Sequence, residues 1–305
     1  MDTHEFPYHK FGFDRFNKVQ AAVIPYADKD VNLVVSSPTA TGKSAIAEAA
    51  FGYHLSQEQG KVVYVSPYRS LSHEKHEGWR VDGQFVNHGI VISTGDHLAT
   101  RDEFEAGRMI LLTIESFDSK TRNEHHYSWL RNVCCLCVDE SHLIGQKGRG
   151  DALEMSLMRF TRLNPAARII LLSATMANVG SVAEWLKSLN GKETIKIRST
   201  WRPARVETHL YPYGEDNSWN EQIRLAAELV RDADPSEKII VFVHSKKLGK
   251  EVLKSIRASG KRCAFHNASV SRDIRKKIEA EFNDQSSGFN VIVSTSTLSS
   301  GVNLG

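Results

Sequence analysis

The chain has 305 residues, of which 41% are hydrophobic and 25% are charged, as in an ordinary soluble globular protein. A chain of this length favours about two domains. Its 39 basic and 36 acidic residues give a net charge of only +3, so binding to a nucleic-acid backbone would depend on locally placed cations and N–H groups. The polar N-terminus and the lack of a long apolar run predict neither a secretion signal nor a membrane span. We therefore expect an intracellular protein, cytoplasmic or nuclear.

The first informative segment is Ser-Pro-Thr-Ala-Thr-Gly-Lys-Ser at residues 37–44. It follows an apolar run at 31–35, which predicts a buried strand, and precedes an alanine-rich run at 45–50, which predicts the start of a helix. A loop of small residues between a strand and a helix is typical of a phosphate-binding loop, whose backbone N–H groups attract a polyphosphate. Lys43 would reach the terminal phosphates, and the Ser44 hydroxyl would ligate Mg²⁺. The first residue of the segment is serine, where such loops usually have glycine.

A second signal is the apolar run at residues 133–138, which leads directly into Asp139 and Glu140. The run predicts a central parallel strand that delivers two carboxylates at its C-terminal end. Chemistry in open α/β sheets lies at that end of the strands, where the phosphate-binding loop also lies. Asp139 is predicted to hold Mg²⁺, and Glu140 to orient and deprotonate an attacking water. An acidic turn after a strand is common, and the pair gains its meaning from the phosphate-binding loop.

Further motifs follow these two in a fixed order along the chain. They are Tyr-Val-Ser-Pro-Tyr-Arg-Ser-Leu at residues 64–71, Ser-Thr-Gly-Asp at 93–96, Leu-Leu-Ser-Ala-Thr-Met at 171–176, Trp-Arg-Pro at 201–203, Val-Phe-Val-His-Ser at 241–245, Ala-Phe-His-Asn-Ala at 264–268 and Val-Ser-Thr-Ser-Thr-Leu-Ser-Ser-Gly-Val-Asn-Leu at 293–304. As an ordered set they resemble the superfamily 2 nucleic-acid helicases. Within that superfamily the chain is most similar to the Ski-like branch of the DExH-box group. The resemblance extends from about residue 11 to residue 304.

The resemblance implies an α/β fold of two RecA-like parallel-sheet domains in tandem. We expect a first ATP-binding domain over residues 1–198, a connection over 199–214 and a second domain over 215–305. The family's next motif, which supplies arginine fingers, does not follow residue 303. The second domain is therefore expected to be incomplete and the chain to be part of a longer protein, whose further domains would bind partners. Because arginine fingers are worth about 10³–10⁵ in rate, such a piece is expected to bind ATP and hydrolyse it weakly.

The resemblance also assigns residues to the nucleotide site. Catalysis is assigned to Lys43, Asp139, Glu140 and His142, and nucleotide binding to Gln20, Thr39, Ala40, Thr41, Gly42, Lys43, Ser44, Gly301 and Asn303. The side-chain amide of Gln20 would read adenine, whereas the alternative is a solvent-facing glutamine on a helix. Phe13 or Phe16 would stack near the base, with a place in the core as the equal alternative. Ser173 and Thr175 would couple the nucleotide site to the second domain.

A nucleic-acid track is the third implication of the resemblance. The residues assigned to it are Pro67, Arg69, Thr94, Gly95, Thr113, His244, Ser245 and Thr295. Contacts of this kind go to phosphate and sugar and give affinity without sequence preference. At Thr113 the family usually continues with proline and glutamate, whereas this chain has Ile114 and Glu115.

These residues favour an ATP-dependent helicase or translocase that uses Mg²⁺ and moves 3′-to-5′ along a single or partly duplex strand. The rival hypothesis is a nucleotide-gated clamp or docking module that does not unwind. Intact Lys43, Asp139 and Glu140 favour the motor over the clamp. A P-loop ATPase outside the helicases would leave the later motifs unexplained. DNA and RNA both occur as substrates in this branch, and Leu153 and Glu154 after an Arg-Gly pair resemble the DNA-repair members better.

Overall fold

The computed structural model describes residues 1–57, 60–81, 85–212, 219–295 and 298. The strands in this part of the chain are β1 (Asn32–Ser36), β2 (Lys61–Ser66), β3 (Ile90–Ser93), β4 (Met109–Thr113), β5 (Val133–Val138), β6 (Arg168–Ser173), β7 (Thr194–Arg198), β8 (Ile239–Phe242), β9 (Cys263–His266) and β10 (Val291–Ser294). The α-helices are α1 (Lys18–Val23), α2 (Ser44–Ser56), α3 (Arg69–Val81), α4 (Arg101–Ala106), α5 (Ile114–Arg122), α6 (Tyr127–Arg131), α7 (Arg149–Leu163), α8 (Val179–Asn190), α9 (Trp219–Asp232), α10 (Lys246–Ala258) and α11 (Arg272–Asn283). None of the described helices combines the length and apolar character needed to cross a bilayer.

The chain divides into two compact units, Met1–Arg205 and Val206–Gly305. The first unit holds a seven-stranded sheet in the order β3-β4-β2-β5-β6-β1-β7, and neighbouring strands run parallel throughout. The second unit holds a three-stranded parallel sheet in the order β8-β10-β9. The prediction of two α/β parallel sheets is thereby confirmed. The division falls within the predicted connection 199–214, and the bounds of the two domains stay a prediction.

Both faces of the first sheet are covered by helices. Side chains alternate between the faces along each strand, so that Val34 belongs to one hydrophobic cluster while Leu33 and Val35 belong to the other. The cluster with Val34 includes apolar residues of α5, α7 and α8, and the cluster with Leu33 includes those of α1, α2 and α3. Two buried layers fix the register of β1, because a shift by one residue would exchange its faces.

The strand order determines where the motifs meet. Strand β6 lies between β1 and β5 and pairs with both in parallel. The phosphate-binding loop follows β1, the Ser-Ala-Thr motif follows β6 and the Asp-Glu pair follows β5. These three motifs therefore follow the carboxyl-terminal ends of three adjacent strands and lie at the same end of the sheet.

Candidate functional site

A pair of buried hydroxyls closes the phosphate-binding loop. The Ser37 Oγ lies 2.8 Å from the Thr41 Oγ1, and both side chains are fully buried. The Thr41 hydroxyl also donates to the carbonyl oxygen of Pro38 at 2.9 Å. This contact gives the physical reason for serine at a position where such loops usually have glycine: its side chain fastens the beginning of the loop to its end.

Two backbone conformations of this region are strained. In the described part of the chain, the non-glycine residues with positive φ are Ala40 at 61° and Glu140 at 52°. The left-handed region costs such residues about 1–3 kcal/mol, and residues held there cluster at functional sites. Ala40 lies in the phosphate-binding loop and Glu140 in the Asp-Glu pair, so the strain coincides with the two motifs that the sequence assigned to one nucleotide site.

Helix α1 holds the loop from its outer side. The Asn17 side-chain amide donates to the carbonyl of Thr41 at 2.9 Å, and the Gln20 amide donates to the carbonyl of Gly42 at 3.1 Å. The Gln20 Oε1 accepts from the backbone N–H of Asn17 at 3.0 Å, and the Gln20 side chain is only 5% exposed. The solvent-facing alternative for Gln20 is therefore wrong. Its amide still has one N–H and one lone pair to offer, and its role in reading adenine stays a prediction.

Lys43 lies close to the carboxylates of Glu140 and Asp139. Its ammonium donates to the carbonyl oxygens of Ser37 and Pro38 at 3.2 and 3.0 Å. Burial lowers the pKa of Lys43, and the carboxylates of Glu140 and Asp139 act in the opposite direction. The lysine therefore interacts with both carboxylates, although they follow a strand two positions away in the sheet. The loop residues Thr39 and Ala40 are exposed, which leaves this face accessible to a ligand.

Asp139 is a buried carboxylate with fixed orientation. One oxygen accepts from the backbone N–H of Glu140 at 2.9 Å, and the other accepts from the Tyr64 hydroxyl. Burial raises the pKa of Asp139, and the nearby charge of Glu140 adds to the rise. Burial and Asp139 also raise the pKa of Tyr64 well above its usual value, which keeps this phenol a donor. Tyr64 was not assigned a role from the sequence.

Glu140 is paired with His142. The His142 Nδ1 lies 3.2 Å from the Glu140 Oε2, and this contact is the main reason why the pKa of Glu140 is lowered. Lys43 contributes to the same effect. Two neighbouring carboxylates thus have pKa values shifted in opposite directions, an arrangement that separates their chemical roles. The lowered pKa favours the ionised form of Glu140, and its role as the proton acceptor stays a prediction.

The Ser-Ala-Thr motif is hydrogen-bonded to the end of β1. The backbone N–H of Ser37 donates to the carbonyl of Ser173 at 3.1 Å. The Ser36 hydroxyl accepts from the N–H of Met176 at 3.0 Å and donates to the carbonyl of Ala174 at 3.3 Å. Ser173 is buried, whereas Thr175 is exposed. The motif therefore supports the phosphate-binding loop, and the coupling role of Ser173 and Thr175 stays a prediction.

Ser44 and Asp139 fit a Mg²⁺ ion. Mg²⁺ prefers hard oxygen ligands, and it is held in proteins by one or two carboxylates together with water and phosphate oxygens. Ser44 supplies a half-buried hydroxyl at the start of α2, and Asp139 supplies a carboxylate that is 8% exposed. Because burial and Glu140 both disfavour the ionised form of Asp139, a cation beside it would offset an existing electrostatic cost.

A second polar surface lies at the ends of β2, β3 and β4. Here the Arg69 guanidinium forms an ion pair with Asp96, with side chains 55% and 65% exposed. It also covers Gly95: a Cβ at that glycine would lie 2.2 Å from the Arg69 Nη2. The sequence assigned Arg69 and Gly95 separately to a nucleic-acid track, and the structure brings them into contact.

Arg149 joins this surface from the start of α7. Its Nε lies 2.8 Å from the Glu115 Oε1, and its guanidinium carbon lies 5.6 Å from the centre of the Tyr68 ring. The following residue is Gly150, where a Cβ would lie 2.1 Å from the carbonyl oxygen of Leu143. Only glycine allows α7 to begin so close to the turn after the Asp-Glu pair, and this position orients Arg149. The Arg-Gly pair was noted in the sequence without a structural role.

Three other residues assigned to the track are buried. Thr113 caps α5 and accepts from the N–H of Ser116 at 3.3 Å, while Pro67 and Thr94 are buried at the ends of β2 and β3. The Thr94 hydroxyl has no hydrogen-bond partner among the described residues. These side chains shape the loops around Arg69, and their contact with nucleic acid stays a prediction.

The remaining assigned residues belong to the second unit. His244 is exposed, with its ring 5.6 Å from that of Trp219. The Ser245 hydroxyl caps α10 by accepting from Leu248, and the Thr295 N–H donates to the carbonyl of His266 at 3.2 Å. Gly301 and Asn303 lie outside the described residues.

The comparison with protein families decides which group this site belongs to. The family described as DEAD/DEAH box helicase matches residues 17–182, and the helicase conserved C-terminal domain matches residues 221–305. This chain belongs to the DEAD/DEAH box helicase family. The first match contains the phosphate-binding loop, the Asp-Glu pair and the Ser-Ala-Thr motif, so the prediction of a superfamily 2 helicase of the Ski-like branch is confirmed.

Curated relatives of this helicase-family chain include two DNA helicases. The ATP-dependent DNA helicase Hel308 of Pyrococcus horikoshii is 36% identical over 313 residues, which covers 90% of this chain and 42% of the relative. The ATP-dependent DNA helicase MER3 of Saccharomyces cerevisiae is 27% identical over 334 residues, which covers 96% of this chain and 28% of the relative. The chain thus spans less than half the length of these relatives. The structure of the DUF1998 helicase MrfA bound to DNA and AMPPNP has a similar fold, with a TM-score of 0.74 and 19% identity over 96% of this chain and 43% of MrfA.

Proposed function

We propose that this chain is the motor part of an ATP-dependent DNA helicase that couples ATP hydrolysis to movement along a single strand. The observation that carries the proposal is Glu140. It is held in a left-handed conformation, its pKa is lowered by His142, and it is coupled electrostatically to Lys43 of the phosphate-binding loop. A strained, ionised carboxylate beside a phosphate-binding lysine is suited to activate water.

At the nucleotide, the loop N–H groups and the α2 N-terminus bind the phosphates, and Lys43 exchanges its two carbonyl contacts for phosphate oxygens. The side-chain amides of Asn17 and Gln20 hold the loop through the carbonyls of Thr41 and Gly42, and Gln20 reads the adenine edge. Phe13 is 37% exposed and available to a base, whereas Phe16 is buried, with only 7% of its surface exposed.

Glu140 then orients the attacking water and accepts its proton on a carboxylate oxygen, while His142 holds the Glu140 carboxylate in place. Mg²⁺, when held by Ser44 and Asp139, would supply charge neutralisation at the phosphates. The hydrogen bonds from Tyr64 and from the Glu140 N–H fix the orientation of the Asp139 carboxylate. By the resemblance alone, Gly301 and Asn303 would also bind the nucleotide.

At the nucleic acid, Arg69 and Arg149 bind phosphates of the strand, supported by the loops of Pro67, Thr94, Gly95 and Thr113. His244, Ser245 and Thr295 provide the corresponding contacts from the second domain. Arg149 begins the helix that follows the Asp-Glu turn, which supports a role for this arginine in communication between the two sites. DNA as substrate is supported by the names of the relatives, and 3′-to-5′ direction by the resemblance to the Ski-like branch.

Strand displacement by the full-length protein tests the proposal. Two partial duplexes with the same paired region and opposite single-stranded tails are compared in the presence of ATP and Mg²⁺. We expect DNA-stimulated ATP hydrolysis and displacement only from the duplex with a 3′ tail. ATP-dependent DNA binding without displacement would contradict the motor and identify a nucleotide-gated clamp.

A further inference from the structure

A cavity on the first unit is lined by residues outside the phosphate-binding loop and the Asp-Glu pair. It has a volume of about 480 Å³. The residues that line it are His73, His76 and Arg80 of α3, Val86, Ile90, Val91 and Ile92 at and before β3, and His97 and Glu103 beyond it. Cavities of this size hold small organic ligands. The nucleotide site and the Arg69 surface use none of these nine residues.

The cavity lies against the open edge of the sheet. Strand β3 is the last strand in the order and pairs only with β4 among the described strands. Its consecutive residues Ile90, Val91 and Ile92 all line the cavity, although neighbouring side chains on a strand point to opposite faces. A cavity can meet all three only at the strand's edge. The unpaired N–H and C=O groups of that edge therefore provide alternating donors and acceptors beside aliphatic side chains.

The opposite wall carries basic side chains. His73, His76 and Arg80 are separated by three and four residues on α3 and therefore share one face. His97 comes from a tight turn in which the Thr94 N–H donates to the His97 carbonyl at 2.8 Å. This turn places a third histidine next to the α3 residues.

Protonated histidines here would repel one another and Arg80. Burial lowers the pKa of His76, and Arg80, His73 and His97 lower it further, while only Glu77 acts against them. The carboxylate of Glu103 is held by the backbone N–H of Thr100 and also faces the cavity. An anion between the histidines and Arg80 would convert their repulsion into attraction and favour protonated His76.

We propose that this cavity binds a nucleotide, with its phosphate at the histidines and Arg80 and its base against the edge of β3. The phosphate supplies a concentrated negative charge for Arg80 and the histidines. The base is a flat ring whose rim alternates donors and acceptors, as the strand edge does. The aliphatic side chains cover its faces. This second nucleotide site goes beyond the proposed function and needs neither Lys43 nor Glu140.

A nucleotide suits the cavity better than an acidic peptide does. A peptide that extended the sheet would pair along β3 and continue past both ends, but β3 has only four residues. The cationic groups are gathered at one wall of one compact cavity, which favours a ligand whose charge is concentrated in one group. Two forms of nucleotide could occupy the cavity: a free nucleotide, or one nucleotide of a single strand.

The test uses thymidine monophosphate, which lacks the terminal phosphates that the phosphate-binding loop requires. Calorimetric titration of the full-length protein at pH 6.5 and pH 8 measures its affinity. Arg80→Ala should weaken binding at least about fivefold, because Arg80 is a full cation at the cavity. Lys75→Ala is the matched control, since Lys75 lies on the same helix and does not line the cavity, and it should leave the affinity unchanged. Affinity should be at least about threefold higher at pH 6.5, because phosphate favours protonated histidine.

A second titration with a twelve-nucleotide oligothymidylate separates the two forms. If Arg80→Ala weakens the monophosphate, the site takes a free nucleotide; if it weakens only the oligonucleotide, the site takes a nucleotide of a strand. No effect of Arg80→Ala on either ligand overturns the proposal, as does binding of a glutamate-rich peptide with no binding of either nucleotide. ATP affinity and its loss in Lys43→Ala are measured beside these titrations, so that failure of the proposed function is recognised separately.

Discussion

Two surfaces at the carboxyl-terminal ends of the strands in the first sheet are built in different ways. After β1, β6 and β5, the polar groups are buried and hydrogen-bonded to one another and to the backbone. The Ser37–Thr41 hydroxyl pair and the Tyr64–Asp139 contact are examples. After β2, β3 and β4, the charged groups are exposed and paired side chain to side chain, as in Arg69 with Asp96.

The difference is energetic. Breaking a buried hydrogen bond leaves an unsatisfied group and costs about 1–3 kcal/mol, whereas an exposed ion pair contributes about 0–1 kcal/mol. The first surface therefore keeps its geometry through a chemical cycle. The second can exchange Asp96 or Glu115 for a phosphate at little cost. The proposed motor would need a fixed site for chemistry and replaceable contacts for movement, and the first unit has surfaces of both kinds.

The strongest test of the fixed surface is Glu140→Gln. Removal of the proton acceptor should reduce kcat for ATP hydrolysis by about 10²–10⁴-fold, with ATP affinity retained because the amide keeps the shape of the side chain. Single-turnover hydrolysis by the full-length protein measures the effect. Glu184→Gln, on the exposed face of α8, is the matched control. Turnover within a few-fold of the unchanged protein would remove Glu140 from this role.

Lys43→Ala should be next in size. The lysine is partly buried beside two carboxylates, and its loss leaves the ATP phosphates without their cation, at about 2–5 kcal/mol of binding free energy. Equilibrium titration with a fluorescent ATP analogue measures the change. Lys187→Ala, on the exposed face of α8, provides the control. Unchanged affinity would mean that the loop is a structural turn.

Acid should destabilise the first unit through His54, which lies in the last turn of α2. Burial, together with Arg168, lowers the pKa of His54 from 6.5 to about 4. Because folding depresses this pKa, the stability is present above pH 6.5 and is lost as the pH falls toward 4. The free energy of unfolding should fall by roughly 2 kcal/mol between pH 7 and pH 5 from this residue. In urea unfolding, the free energy of unfolding of His54→Gln should no longer fall in this way between pH 7 and pH 5. His125→Gln, at an exposed histidine, should still show the fall.

The smallest effects are expected at the exchangeable surface, with opposite signs in two variants. Arg69→Ala should weaken binding to single-stranded DNA about three- to tenfold and reduce the salt slope by about 0.7, because one phosphate contact is lost. Asp96→Asn should strengthen binding a few-fold, because it removes the carboxylate that competes for Arg69. ATP affinity without DNA should change in neither. If Asp96→Asn weakens binding, the ion pair orients Arg69 and does not compete with phosphate.

The sequence predicted the parts of the site that depend on local pattern. A strand, a loop ending in Gly-Lys-Ser and a helix are contiguous, so the phosphate-binding loop could be recognised before its fold was known. The same holds for Asp139 and Glu140 after an apolar run. The alternation of strands and helices likewise predicted parallel sheets, because consecutive parallel strands require a crossover.

The contacts that position these residues depend on strand order and could not be predicted. Tyr64 reaches Asp139 only because β2 and β5 are neighbours. Arg149 meets Glu115 and Tyr68 because three loops converge at one edge. The one signal in the sequence was Gly150 after Arg149, since glycine at a helix start indicates a close backbone approach.

The position of β1 in the sheet has a consequence for how the protein is made. Leu33 pairs with Ile170 on one side and with Ile195 on the other, so both neighbours of the strand leave the ribosome long after it does. Until then β1 has two open edges, and the loop that follows it lacks the backbone partners that shape it. Pairings of such sequence separation form slowly, and domains fold as units during synthesis. We therefore expect the capacity to bind nucleotide to arise late in biogenesis, after β6 and β7 have been synthesised and paired with β1.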